Sequence, residues 1–191
     1  ARDGIITADS THNHLSQGSP EPYSAVRDVV GVGRGRGISQ GAKVRIDTVH
    51  TKMAMPETNI GLFPDVGGGY FLSRCPGHVG EYLALTGDVI GADAAIGYGL
   101  ADVKVEAKRL PALWDSLATQ AFGSSAQVEQ WIATELIANN DCTIWTTSHI
   151  DTCFSLLRVK HIVDALEASP DAWAVKTAAT LRKRSPLMLH V

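Results

Sequence analysis

Two carboxylates in the stretch MAMPETNIGLFPDVGGGY, residues 53–70, stand directly after prolines: Glu57 follows Pro56 and Asp65 follows Pro64. Each proline fixes φ just ahead of the acid. Around them lie Met53, Met55, Ile60, Leu62 and Phe63. A carboxylate in such company either sits in a partly apolar pocket, where it serves as base or nucleophile, or turns outward as an ordinary solvated acid. Both readings of Glu57 stay open at this level. Asp65, with Gly67, Gly68 and Gly69 behind it, reads as a second site acid or as the N-cap of a helix beginning near Val66.

A second stretch, GVGRGRGISQG at residues 31–41, opens with glycines at every second position and threads Arg34 and Arg36 between them. A dinucleotide loop of the form GxGxxG fits in no register, because the third glycine would fall on Arg36, Ile38 or Gln40. No Gly-Lys-Ser/Thr ending makes it a P-loop, and the flanking valines argue against a disordered arginine–glycine box. Two readings remain. One is a plain turn between strand and helix; the other is a turn whose missing side chains let a ligand lie against backbone N–H groups and so hold an oxyanion or a phosphate.

Other reactive residue types carry weaker patterns. The seven histidines are scattered, and only His12 and His14 have a metal-like spacing. Cys75, Cys142 and Cys153 form no CxxC pair and leave an odd cysteine, so neither a disulfide framework nor a zinc site is signalled. Cys75 reads as a structural thiol rather than the partner of His78, and no GxSxG elbow is present. Trp114, Trp131, Trp145 and Trp173 are expected in the core.

The elements that must position these residues follow from periodicity. The run YSAVRDVVGV, bounded by Pro22 and the glycines, is expected as a buried strand leading into the glycine stretch. ISQGA suits one or two helical turns, and KVRIDTVH and TKMAMPE read as two more strands. GGGYFLSRCPG and GHVGEYLALTGDVI read as short helices, the second ended by Gly87; ADAAIGYGLADVKV reads helix, turn, strand. From Leu110 onward PALWDSLATQAF, AQVEQWIATELI and VKHIVDALEAS have amphipathic helical spacing. Ser169 is expected to cap a further helix, with Pro170 in its first turn and the basic LRKR complementing its dipole. Residues 1–11 are an unassigned lead-in, and the apolar end SPLMLHV is expected to continue into chain beyond it.

The 191 residues, 45% hydrophobic and 19% charged, can bury the core of one domain. A formal net charge of -3 gives no overall field for nucleic acid or an anionic membrane, and no apolar run has membrane-spanning length. Neither partner is expected. The cysteine usage fits a reducing compartment.

MPETNIGLFPDVGGGYFL, with GEYLALTGDVIGADAAIGYGLAD after it, resembles the 3-hydroxyisobutyryl-CoA hydrolase branch of the enoyl-CoA hydratase/isomerase (crotonase) superfamily. NHL, PEPYSAVRDVV, DTCFSLLRVKHIVDALE and SPLMLHV extend the resemblance over residues 12–191, the middle part of a longer family chain. It implies an α/β, crotonase-like spiral of ββα units, incomplete here, with strands and glycine turns to about residue 105 and mainly helices after. It further implies hydrolysis of a short branched 3-hydroxyacyl-CoA thioester, with 3-hydroxyisobutyryl-CoA of valine breakdown as the leading substrate. Coenzyme A is then part of the substrate, and no separate cofactor or metal is expected.

Carried over residue by residue, the resemblance makes Glu57 and Asp65 the catalytic acids. It places one backbone donor of the thioester oxyanion hole at Arg34, between Gly33 and Gly35, where the family has glycine. The second donor comes from a segment upstream of this sequence. Hydratases of the superfamily use a further glutamate just after the glycine loop, and here that position is Gly37, which favours hydrolysis over hydration. The alternatives are an enoyl-CoA hydratase or isomerase, or a non-catalytic acyl-CoA-binding remnant. The resemblance allows a homo-oligomer, a cytoplasmic location in a bacterium and the mitochondrial matrix in a eukaryote.

Overall fold

A computed structural model describes residues 23–28, 30–32, 37, 39–134, 147–187 and 189. The expected first strand is two: β1 (Ser24–Arg27) and β2 (Val30–Val32) join different sheets. The chain turns at Asp28, whose carboxylate accepts from the Thr48 hydroxyl and lies 3.0 Å from His50 Nδ1. An aspartate with polar partners at a corner has no reason to continue a strand.

β3 (Val44–Thr48) and β4 (Lys52–Ala54) repeat the same bend. β3 pairs in parallel with β1, Ser24 opposite Val44, while β4 pairs in parallel with β2, Val30 opposite Lys52. β5 (Ile90–Gly91) closes one sheet antiparallel to β4, and β6 (Val103–Val105) closes the other parallel to β3. The sheet orders are therefore β1-β3-β6 and β2-β4-β5, the stacked ββ corners of a spiral.

Helices fill the sides. α1 (Gly68–Leu72), α2 (Val79–Thr86) and α3 (Ala92–Gly97) come from the glycine-punctuated middle; α4 (Leu110–Thr119) and α5 (Ser125–Ile132) follow β6. α6 (Ser148–Phe154), α7 (Val159–Ala168) and α8 (Ala172–Leu181) end the described chain. The larger core joins Met53, Met55, Leu72, Val79 and Leu83 to Phe154, Leu166 and Leu181, so α6–α8 pack against α2. A smaller cluster of Val44, Ile46, Val103, Val105 and Ile132 sits between the other sheet and α4–α5. Among the described residues no helix is long and apolar enough to cross a membrane.

Two side-chain expectations are corrected. The cap of α8 is Asp171, which accepts from the Trp173 amide at 2.7 Å, while Ser169 ends α7. A carboxylate one position ahead of the helix reaches the free N–H groups that Ser169 is too far back to meet. Trp114 is 54% exposed on α4, whose helix contributes only one edge to the smaller core, whereas Trp131 and Trp173, half-buried, pack against the smaller and the larger core as expected. Trp145 and Cys142 lie outside the described residues.

The strand pair β1–β3 carries a buried ion pair. Arg27 stands opposite Asp47 in the register and its Nε donates to Asp47 Oδ1, with the two side chains 6% and 0% exposed. Arg27 Nη2 also donates to the Leu100 carbonyl at 3.1 Å, and Gln40 Nε2 reaches the same oxygen at 2.9 Å. Arg45 holds Asp102 through Nε at 2.8 Å and Nη2 at 2.6 Å, and donates to Gln40 Oε1 at 2.9 Å. Gln40, near the end of the glycine stretch, is thereby tied to the sheet. Breaking a buried pair from one side leaves an uncompensated charge. Arg27→Ala is expected to cost about 3–5 kcal/mol in urea unfolding; a loss below about 1 kcal/mol would mean that water reaches the pair.

Candidate active site

Sequence order alone puts Gly37 twenty residues ahead of Glu57; the parallel pairing of β2 with β4 brings the two segments side by side. Val32, the last residue of β2, is in register with Ala54, three positions before Glu57. On the far side of the stretch Gly37 is buried against the second acid's turn, where a Cβ would meet the Val66 carbonyl oxygen at 2.2 Å and Val66 Cγ1 at 2.5 Å. No L-residue with a side chain fits there without moving Val66. Gly33, Arg34 and Gly35, the expected oxyanion positions, lie outside the described residues, as do His12 and His14.

Glu57 sits in a 3-10 turn, Pro56–Ile60, that continues directly from β4 through Met55. Proline occupies the start of the turn, and Gly61 ends it in the left-handed region, where its N–H reaches back to the Glu57 carbonyl. The residue is 6% exposed, so Glu57 is not the solvated acid of the alternative reading. Its Oε2 has no hydrogen-bond partner among the described residues. Burial raises the Glu57 pKa above its ordinary value, its own backbone offsets part of that, and the charge of Asp65 pushes the same way as burial. Of the apolar residues expected around it, Met53 and Met55 are buried, whereas Ile60 is 70% and Phe63 51% exposed. The short turn points those two away from the core.

Asp65 is half-buried and does not cap α1. The helix starts at Gly68 with Gly67 as its cap residue, and Asp65 contributes only its backbone carbonyl, which accepts from the Gly68 amide at 2.7 Å. Its carboxylate is left to other work. Between them Val66 is 2% exposed with φ at +47°, a conformation a β-branched residue adopts only under constraint. The acid turn thus holds local strain at the point where Gly37 presses on it.

A cleft of about 990 Å³ opens beside this turn, with Phe63, Pro64, Leu72, Leu156, Leu157 and Arg158 in its walls. It begins at the residues just before Asp65, although neither carboxylate lines it. Leu157 is fully exposed there. Cys75 is buried, with its pKa pushed up to about 11 by desolvation, and its thiol donates to the Phe71 carbonyl at 3.7 Å, as a structural thiol does. Among the described residues no three His, Cys, Asp or Glu side chains gather as a metal site requires.

Sequence reasoning missed the groups that brace the Glu57 turn from behind. Gly87, in the left-handed region at the end of α2, lets the helix end approach the turn; a Cβ there would meet Pro56 Cα at 3.0 Å and the Met55 carbonyl oxygen at 3.2 Å. The Ser185 amide donates to the Thr58 carbonyl at 3.2 Å. Gly87 was visible as a helix stop, but nothing local marks Ser185 as a neighbour of Thr58.

The sequence matches the family described as enoyl-CoA hydratase/isomerase over residues 4–191. It is 37% identical to a probable 3-hydroxyisobutyryl-CoA hydrolase 2 of Arabidopsis thaliana, covering 95% of this chain and 50% of that one. Against the mitochondrial 3-hydroxyisobutyryl-CoA hydrolase of Xenopus tropicalis the identity is 36%, over 90% of this chain and 46% of the other. The small ribosomal subunit protein mS47 of Neurospora crassa is 35% identical over 94% of this chain and 39% of its own. The chain thus spans about half the length, or less, of these curated relatives. In structure it is similar to a carnitinyl-CoA dehydratase from Mycobacterium thermoresistibile, with a TM-score of 0.81 and 32% identity over 96% of this chain and 52% of that one.

A buried acid with a raised pKa has a defined effect on stability. Because folding raises the Glu57 pKa, the native state is favoured below the ordinary glutamate range and loses that advantage as pH rises through the folded value. Glu57→Gln is therefore expected to melt above the parent at pH 7, the gap closing toward pH 4 as the parent's carboxyl protonates. A variant that melts lower at pH 7 would contradict the burial of a charged Glu57.

Proposed function

The chain belongs to the enoyl-CoA hydratase/isomerase family, and from that premise we propose that the protein hydrolyses a short branched 3-hydroxyacyl-CoA thioester, with 3-hydroxyisobutyryl-CoA of valine breakdown as the leading substrate. The observation that carries the proposal is the buried Glu57, with a carboxylate oxygen that has no partner among the described residues and a raised pKa, next to an acid turn whose own carboxylate is not spent on helix capping.

In this reading backbone N–H groups around Gly33, Arg34 and Gly35 polarise the thioester carbonyl. Either Glu57 attacks that carbonyl, the C–S bond breaks, and water then hydrolyses the resulting Glu57 anhydride, or Glu57 takes a proton from the attacking water; in both routes the proton lost by water goes to the departing thiolate, so that the products are the 3-hydroxy acid and coenzyme A. Asp65 orients the 3-hydroxyl group or the water. Desolvation makes Glu57 a stronger base than a glutamate in water. Hydrolysis is preferred to hydration because Gly37 leaves no room for another acid at the end of the glycine stretch. Coenzyme A enters as part of the substrate, and no separate cofactor is invoked. The mitochondrial name of the Xenopus tropicalis relative supports a matrix location for a eukaryotic source, and a bacterial source implies the cytoplasm. The family resemblance also allows a homo-oligomer.

The likeness to mS47 favours one second reading, a non-catalytic role for the same fold. The net charge of -3 gives that role no overall attraction to RNA. Titration with coenzyme A esters beside a hydrolysis assay separates the two, since binding without turnover supports the second reading.

Glu57→Gln is expected to lower turnover by about 100-fold or more with little change in ester binding. Near-normal turnover in the variant would sink the assignment. Gly37→Glu is expected to gain no hydration of crotonyl-CoA, because its Cβ already collides with the Val66 carbonyl; appearance of the hydrated product would show that the acid turn can yield.

A further inference from the structure

The basic sequence LRKR at the end of α8 is expected to complement that helix's own dipole. Arg182 does stay close, pairing with Glu167 on α7 at 2.9 Å. Arg184 does something else. It reaches 98 positions back along the chain, where its Nε donates to the Thr86 carbonyl at 2.8 Å and its Nη2 donates to the same oxygen. Thr86 is the last residue of α2, so a cation caps the negative end of a different helix. Asp88, whose charge acts on Arg184, is itself engaged by the Tyr82 hydroxyl.

The next residue completes a clamp. The Ser185 amide donates to the carbonyl of Thr58, the neighbour of Glu57, and Pro186 after it restricts the Ser185 backbone to extended conformations. Two consecutive residues therefore hold two separate pieces: the end of α2 and the Glu57 turn. Those pieces touch where Gly87 meets Pro56, and Thr58 adds a long hydrogen bond from its hydroxyl to the Leu85 carbonyl at 3.4 Å. Thr58 and Thr86 are both 1% exposed, so this seam excludes water directly behind Glu57.

We propose that Arg184 is a positioning residue for Glu57: by holding the Thr86 carbonyl while the adjacent Ser185 amide holds that of Thr58, it keeps the Glu57 turn closed against α2. The inference rests on the reading of Glu57 as the working acid, but its test does not require turnover. Without the guanidinium, the end of α2 loses its cap, the 184–185 segment loses its anchor, and water gains the space behind the turn.

The test is a carboxyl titration by 13C NMR on protein labelled at glutamate, with the Glu57 signal assigned through Glu57→Gln. In the unaltered protein Glu57 titrates above the ordinary glutamate range. In Arg184→Ala it is expected to move down by about one pH unit as the carboxylate is rehydrated, while Glu106, remote on its exposed turn, is unmoved; Arg184→Lys, which keeps the charge and a donor, recovers part of the shift. Where Arg184→Ala does not fold, Arg184→Gln takes its place with the same expected direction. A raised Glu57 value left unchanged by the neutral variants would overturn the role of Arg184 and leave the hydrolase reading standing. An ordinary value in the unaltered protein would overturn both.

Discussion

Glu57, a residue 6% exposed with one carboxylate oxygen unpartnered among the described residues, is held against its own preference for water. Left to itself the Glu57 side chain would draw water in or swing out, because the short turn that carries it offers only a few backbone bonds of its own. The surrounding structure prevents this by packing from behind. Buried Met53 and Met55 lead into the turn, Gly87 allows α2 to press on Pro56, and residues 184–185 tie the two together. A raised pKa is the electrostatic record of that confinement.

The second acid is positioned by a different constraint. Gly37 lies so close to Val66 that a Cβ there would overlap the Val66 carbonyl, and Val66 itself takes a left-handed backbone. Two chain segments flanking the site are thus brought into close approach: the end of the glycine stretch and the turn bearing Asp65. Strain is placed in the turn rather than in the strands, where the parallel ladders and the Arg27–Asp47 pair leave little freedom. One glycine accordingly has two effects, closing the gap between the segments and excluding another side chain from the site.

What was legible in the sequence was local. The paired Pro–acid strings, the strand pattern of residues 44–54 and the helical spacing after Leu110 depend on near neighbours, and the structure bears out those elements. The break at Asp28 was not legible, because it depends on Thr48 and His50 from the next corner of the spiral. Capping by Asp171 instead of Ser169 was a choice between adjacent polar residues that only the helix start decides. Arg184 was read as serving its own helix, since nothing in a run of basic residues reveals a carbonyl 98 positions away. Burial of Glu57 belongs to the same class: the apolar neighbours were visible, but Ile60 and Phe63 turned outward and the enclosing groups came from distant chain.

The most direct measurement is the release of coenzyme A from 3-hydroxyisobutyryl-CoA as a function of pH. If the confined Glu57 is the working base or nucleophile, kcat/KM rises with pH through an apparent pKa above the ordinary glutamate range, and Glu57→Gln abolishes that limb. A pH-independent rate, or an acid limb that survives in Glu57→Gln, would contradict it.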